Sequence, residues 1–222
     1  VHRVTAVGFD LDGTLFDHRT ASRAGATGLL AGLGVDVTPA VLDAWTAAED
    51  AQYEHWRAGR VSFAEQRRTR LRTVLPPLGI EPPPDDGGLD ALFGRYLAAY
   101  REAWTLFPDA IPVLDELRGE GYRIGLLTNG AGEQQRDKLA ATGLDAAFDA
   151  VCVSEEIGVA KPDPRAFGLL LAALDVTANA CVFVGDDAAK DVAGARAAGM
   201  RAAAVDRPRV GLREAVREAL AT

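Results

Sequence analysis

Five short runs of apolar or β-branched residues constrain this chain more than any other feature: Val4–Phe9, Tyr122–Leu127, Ala150–Val153, Cys181–Val184 and Arg201–Val205. Their length suits strands buried on both faces of a sheet. Helical patterns at Ile111–Gly119, Gly132–Ala141, Pro164–Leu174, Ala188–Ala198 and Leu212–Leu220 precede, separate and follow the last four runs. Strand and helix alternating over residues 105–205 predict a parallel, doubly wound α/β sheet with right-handed crossovers. Asp163-Pro164 supplies a helix cap and first-turn proline, and Gly143 and Gly199 stand where helices should end.

Residues 18–104 break the rhythm. They show four helical patterns and no strand: Ser22–Leu33, Pro39–Arg57, Ser62–Leu75 and Leu89–Trp104. The proline-rich Pro76–Gly79 and Pro82–Gly88 segments read as a surface connector between the last two helices. The chain therefore divides into an α/β domain, residues 1–17 with 105–222, and an all-helical insertion, 18–104, placed after the first strand as a lid.

Composition narrows the partners. The 222 residues carry a net charge of −8, which disfavours nucleic acid and anionic membranes, since both want a basic face. A small anionic substrate is still possible where local cations override the net field. No apolar run reaches membrane-spanning length and none resembles a signal segment, so a soluble, cytoplasmic protein is expected. Cys152 and Cys181 both sit in strand-like runs and read as reduced core thiols.

The chemistry concentrates where the runs end. Asp10-Leu11-Asp12-Gly13-Thr14 follows the first run directly. Two carboxylates two residues apart at a strand end would point the same way, roughly 6–7 Å apart. Each opposes ionisation of the other, and a divalent cation removes the conflict. Thr128-Asn129-Gly130 follows the second run and offers neutral donors suited to phosphate oxygens. Lys161-Pro162 follows the third, and Gly185-Asp186-Asp187 with Asp191 follows the fourth. The Asp186-to-Asp191 spacing is about one and a half helical turns, so those two need not share a face.

Each cluster alone is also an ordinary turn or helix cap; their order is what matters. The chain resembles the haloacid dehalogenase-like (HAD) superfamily, whose four motifs match Asp10–Thr14, Thr128-Asn129, Lys161-Pro162 and Gly185-Asp186…Asp191. The resemblance implies a Rossmann-like core of strand order 5-4-1-2-3, with the insertion as the helical cap of the phosphatase-type subfamily. It implies that Asp10 is the nucleophile and that Asp12 protonates the leaving alcohol and then activates water. It implies Mg²⁺ on the Asp10 carboxylate, the Asp12 backbone carbonyl and Asp186. Thr128, the Asn129 backbone and Lys161 would hold phosphate, and Asp191 would orient the lysine or a metal-bound water from behind. Asp187 stands where the family often has serine, and reads as a helix cap.

The expected activity is Mg²⁺-dependent hydrolysis of a small phosphorylated metabolite. Haloacid dehalogenases lack the second carboxylate that Asp12 supplies. Phosphonatases need a cap lysine, and the chain's three lysines, Lys138, Lys161 and Lys190, all fall outside 18–104. A two-component receiver domain places its acidic residues in another order. A sugar-phosphate mutase of the same superfamily and a non-enzymatic phospho-ligand-binding protein stay open as alternatives. Substrate identity, oligomeric state and the roles of His18, Arg19, Arg23, His55 and Trp56 are not set by the sequence. The cap aromatics Tyr53, Trp56, Tyr96, Tyr100 and Trp104 read first as helix-packing residues.

Overall fold

A computed structural model describes residues 3–207 and 209–221. The chain forms two compact units, Val1–Asp17 with Thr105–Thr222, and His18–Trp104.

The first unit is a five-stranded sheet of order β3-β2-β1-β4-β5, every neighbouring pair parallel. Its strands are β1 (Ala6–Phe9), β2 (Arg123–Thr128), β3 (Ala150–Val153), β4 (Cys181–Gly185) and β5 (Arg201–Ala204). Read from the other edge this is the expected 5-4-1-2-3. Strands β1 and β4 are buried along their whole length, which is why their sequences are unbroken apolar runs. Cys152 and Cys181 are buried, free and separated by two intervening strands. Burial pushes the Cys181 thiol up to about 12, which makes it inert.

Helix α1 (His18–Ala31), α2 (Pro39–Arg57), α3 (Phe63–Val74) and α4 (Asp86–Glu102) belong to the second unit. The first unit carries α5 (Ala110–Gly119), α6 (Gly132–Thr142), α7 (Ser154–Ile157), α8 (Pro164–Ala173), α9 (Gly194–Ala197) and α10 (Leu212–Ala221). On one face of the sheet, α8 places Phe167 and Leu170 in a fully buried cluster with Phe183, Cys181 and Leu127. The Phe167 and Phe183 rings meet edge to face at 5.1 Å. Burying each such ring is worth about 1.5–3 kcal/mol. Helices α5 and α10 pack against β2 and against β4 and β5.

One prediction needed revision here. Ala188–Ala198 is not one α-helix but a π-helical turn, Ala188–Ala193, running into α9. The Val192 N–H reaches back five residues to the Asp187 carbonyl at 3.3 Å. Such wide turns cluster at functional sites because they re-aim a side chain.

In the helical unit, α2, α3 and α4 start where Thr38, Ser62 and Asp85 accept backbone N–H bonds from Val41, Glu65 and Gly88. Helix α1 starts four residues before its predicted start, with Arg19 and Thr20 exposed in its first turn and Ala21 buried. The interior stacks Trp45, Phe93, Tyr96 and Tyr100, with Trp45 and Tyr96 centroids 4.8 Å apart. Trp56 packs between Tyr53 and Phe63, so these aromatics do serve helix packing. Beside them lies a buried ion pair that residue order alone did not foretell: Arg70 donates to Glu49 at 2.7 Å, and Ser22 donates to the same carboxylate at 2.5 Å. His18 stands beside the same carboxylate, its Nε2 3.8 Å from Glu49, and meets the Tyr100 hydroxyl at 3.0 Å; Arg23 pairs with Asp43 at 2.8 Å, and His55 and Arg19 are exposed.

Candidate active site

Parallel strands bring all their carboxyl ends to one edge of the sheet, where open α/β folds place ligands. Asp10 follows β1 and continues its ladder, its N–H donating to the Val184 carbonyl at 3.0 Å. The chain then turns sharply, with the Leu11 carbonyl accepting from the amides of Leu15 and Phe16. Asp12 lies just beyond β1, bridged to Phe16 across this turn. The Asp10 and Asp12 carboxylates go to different partners.

Asp10 is buried and both its oxygens are engaged. Lys161 Nζ donates to one at 2.6 Å, and the Thr14 hydroxyl donates to the other at 3.1 Å. Lys161 is itself buried and also donates to Asp191 at 2.6 Å. Burial raises the Asp10 pKa well above the ordinary carboxylate range; Lys161 opposes that rise, and the charges of Asp191 and Asp186 add to it. Burial would also strip the Lys161 proton, yet Asp10 and Asp191 together outweigh it and keep the ammonium charged.

Ligand oxygens of Asp10, Asp186 and Asp191 all lie within 4.8 Å of one another. The wide turn after Asp187 brings Asp191 back onto this cluster, so Asp186 and Asp191 converge despite their spacing. Although Asp186 is exposed as a residue, desolvation at its carboxylate and the Asp191 charge push its pKa up to about 6. Two glycines make room. A Cβ on Gly13, whose φ is +90°, would stand 2.2 Å from Asp186 Oδ2. One on Gly185 would stand 2.3 Å from the Asp191 carboxylate. Three acids crowded against a single lysine, oxygen donors throughout, form a set that suits a hard divalent cation. Asp187 caps the turn through the amides of Ala189 and Lys190, at 2.9 and 2.8 Å. These bonds and the Lys190 charge outweigh partial burial and lower its pKa.

Asn129 and Lys161 are joined reciprocally: the amide nitrogen donates to the Lys161 carbonyl and the amide oxygen accepts from the Lys161 N–H, each at 2.9 Å. The Asn129 side chain thus holds the lysine's backbone in place. Ser154 and Glu155 tie down the same loop by accepting from the Gly130 and Gly132 amides at 3.0 and 2.7 Å. Thr128, the last residue of β2, accepts from Gln135 Nε2 at 2.7 Å.

Sequence reasoning missed four residues around this constellation. Thr14 holds Asp10. Gln135 and Lys138 on α6 hold Asp12, at 2.9 and 2.6 Å. Arg207 donates to Asp109 and to the Thr14 carbonyl, at 2.7 and 2.8 Å, and braces the turn. Lysine scarcity was the available signal: in a chain with 24 basic residues, two of its three lysines are buried against motif aspartates.

A parallel sheet of this order, with an acidic cluster and two buried lysines at its carboxyl edge, fits a hydrolase of the HAD class. The model of the haloacid dehalogenase-like hydrolase family matches residues 4–199, and the chain belongs to that family. A ribulose-1,5-bisphosphate 5-phosphatase of Halopiger xanaduensis is 35% identical over 205 residues, covering 91% of this chain and 84% of that protein. A phosphoserine phosphatase of Thermus thermophilus is 46% identical over 107 residues, or 48% of this chain, and the match spans only 43% of that protein's length. The crystal structure of the HAD-hydrolase YfnB from Bacillus subtilis superposes with a TM-score of 0.79 at 22% identity, covering 95% of this chain and 92% of that one, and so speaks for the fold. Among the described residues, no helix is long and apolar enough to cross a membrane.

Proposed function

We propose that the protein is a phosphatase that hydrolyses a small phosphate monoester through an aspartyl-phosphate on Asp10. The observation that carries this reading is the buried Lys161 bridging Asp10 and Asp191 beside Asp186. It supplies a fixed positive charge where a phosphoryl group would meet a carboxylate nucleophile. The phosphatases among the relatives support the same class.

An Asp10 oxygen attacks phosphorus, the bond from phosphorus to the ester oxygen breaks, and Asp12 gives that oxygen its proton. Water then attacks the phosphorus of the aspartyl-phosphate, Asp12 takes the water proton, and the bond to Asp10 breaks to release inorganic phosphate. Thr128 accepts from Gln135, so its own proton is directed to an acceptor, and phosphate oxygens meet that need with the Asn129 backbone and Lys161. Asp10, Asp186 and the Asp12 carbonyl would hold Mg²⁺, with Asp191 behind them fixing Lys161; when bound, the cation screens the nucleophile from the anionic phosphate. The helical unit 18–104 is the cap that selects the substrate, and cytoplasmic small metabolites are the expected class.

The deciding experiment assays a panel of phosphorylated metabolites and 4-nitrophenyl phosphate with Mg²⁺. Acid-quenched labelling from a ³²P-labelled ester on wild type, absent in Asp10→Asn, is the expected result. No phosphate release from any ester would end the reading.

A further inference from the structure

Lys138 and Gln135 lie one turn apart on α6 and are both almost fully buried, at 1% and 2% exposure. Together they grip Asp12 on both oxygens: Lys138 Nζ donates to Oδ1 at 2.6 Å and Gln135 Nε2 donates to Oδ2 at 2.9 Å. The same Gln135 nitrogen donates to the Thr128 hydroxyl at 2.7 Å. One amide therefore spans the carboxylate that moves protons and the hydroxyl that faces phosphate. The Lys138 ammonium also lies 4.9 Å from the Phe16 ring centroid, which fixes it from the side of the Asp12 turn.

Burying an ammonium is costly unless it is paired, so a lysine at this depth needs a reason beyond solubility. A Lys–carboxylate pair is a point contact to one oxygen, which leaves the second oxygen to Gln135; a planar guanidinium would compete for both. We propose that Lys138 and Gln135 are positioning residues that hold the Asp12 carboxylate in register with the phosphate cradle, so that it delivers its proton to the ester oxygen. The proposal deepens the phosphatase reading and rests on it.

The test uses the difference between leaving groups. An alkoxide must be protonated as it departs, whereas 4-nitrophenolate leaves without help. For a displaced Asp12, kcat/KM should fall at least about 10-fold more with glycerol phosphate than with 4-nitrophenyl phosphate. Lys138→Met, Gln135→Leu and Asp12→Asn should all shift this ratio in the same direction. The double variant Lys138→Met/Asp12→Asn should be no worse than Asp12→Asn alone, because both changes disable one device.

Equal losses on both esters, or additive losses in the double variant, would overturn the positioning role while leaving the phosphatase reading standing. Wild type inactive on both esters would overturn both. Should Lys138→Met lose its cooperative melt, Gln135→Leu, which removes no charge, decides by the same ratio.

Discussion

Lys161 Nζ sits 2.6 Å from a carboxylate oxygen of Asp10, a residue 151 positions away in sequence. Neither charge would tolerate burial alone. Their pairing, extended to Asp191, turns two costly groups into one rigid support for the site.

Replacing Asp10 by Asn keeps the side-chain volume and removes the proposed nucleophile. Turnover should drop by about 10³-fold or more. Circular dichroism should show an unchanged fold, since Lys161 keeps Asp191. Near-normal turnover would dismiss Asp10 as the nucleophile.

Chelation should silence the enzyme and Mg²⁺ should restore it. The cation also relieves repulsion among Asp10, Asp186 and Asp191, so it should raise the melting temperature. Saturation at about 100 times Kd corresponds to about 2.7 kcal/mol. A shift of about 5–10 °C is then expected in a chain of this size, and Asp186→Asn should shrink it. Full activity after exhaustive chelation counts against the metal assignment.

Gly13→Ala should harm the site without replacing any functional side chain. The new Cβ meets Asp186, and the positive φ adds about 1–3 kcal/mol of strain. We expect a higher Mg²⁺ concentration for half-activation and a lower melting temperature. Unchanged Mg²⁺ dependence would show that Asp186 moves aside freely.

The helical unit has its own electrostatic dependence. Burial would raise the Glu49 pKa, but Arg70, then His18 and Ser22, outweigh it and hold it below its ordinary 4.5. A carboxylate with a lowered folded-state pKa adds stability that is complete above its unfolded value and fades as pH falls through the folded one. Arg70→Met, which strands the buried carboxylate, should cost about 3–5 kcal/mol near neutral pH. The gap between wild type and Glu49→Gln in denaturant unfolding should narrow as pH falls below 4.5 and through the lowered folded-state value. A gap independent of pH would exclude the ion pair as its source.

Much was legible before any coordinates. Buried parallel strands must be apolar throughout, so β1 to β5 stood out, and β3 matched its predicted bounds. The Asp163-Pro164 capping signal located the start of α8, and α2 kept its predicted bounds. The α4 start was misjudged because its first turn, Asp86-Gly87-Gly88, reads as loop. The wide turn at Ala188–Ala193 was invisible, since hydrophobic periodicity does not separate α from π hydrogen bonding over six residues.

The local alphabet of this chain, its strand runs, turn glycines and acidic motifs, was written in residue order, because each depends on neighbours a few positions apart. Which oxygen meets which nitrogen was not. The union of Asp10 with Lys161 and Asp191, the hold of Gln135 and Lys138 on Asp12, and the Glu49–Arg70 pair join residues from 21 to 151 positions apart. Only the packing of strands and helices brings such groups within hydrogen-bond reach, and the cost of leaving a charge unpaired in that interior selects the partners it ends with.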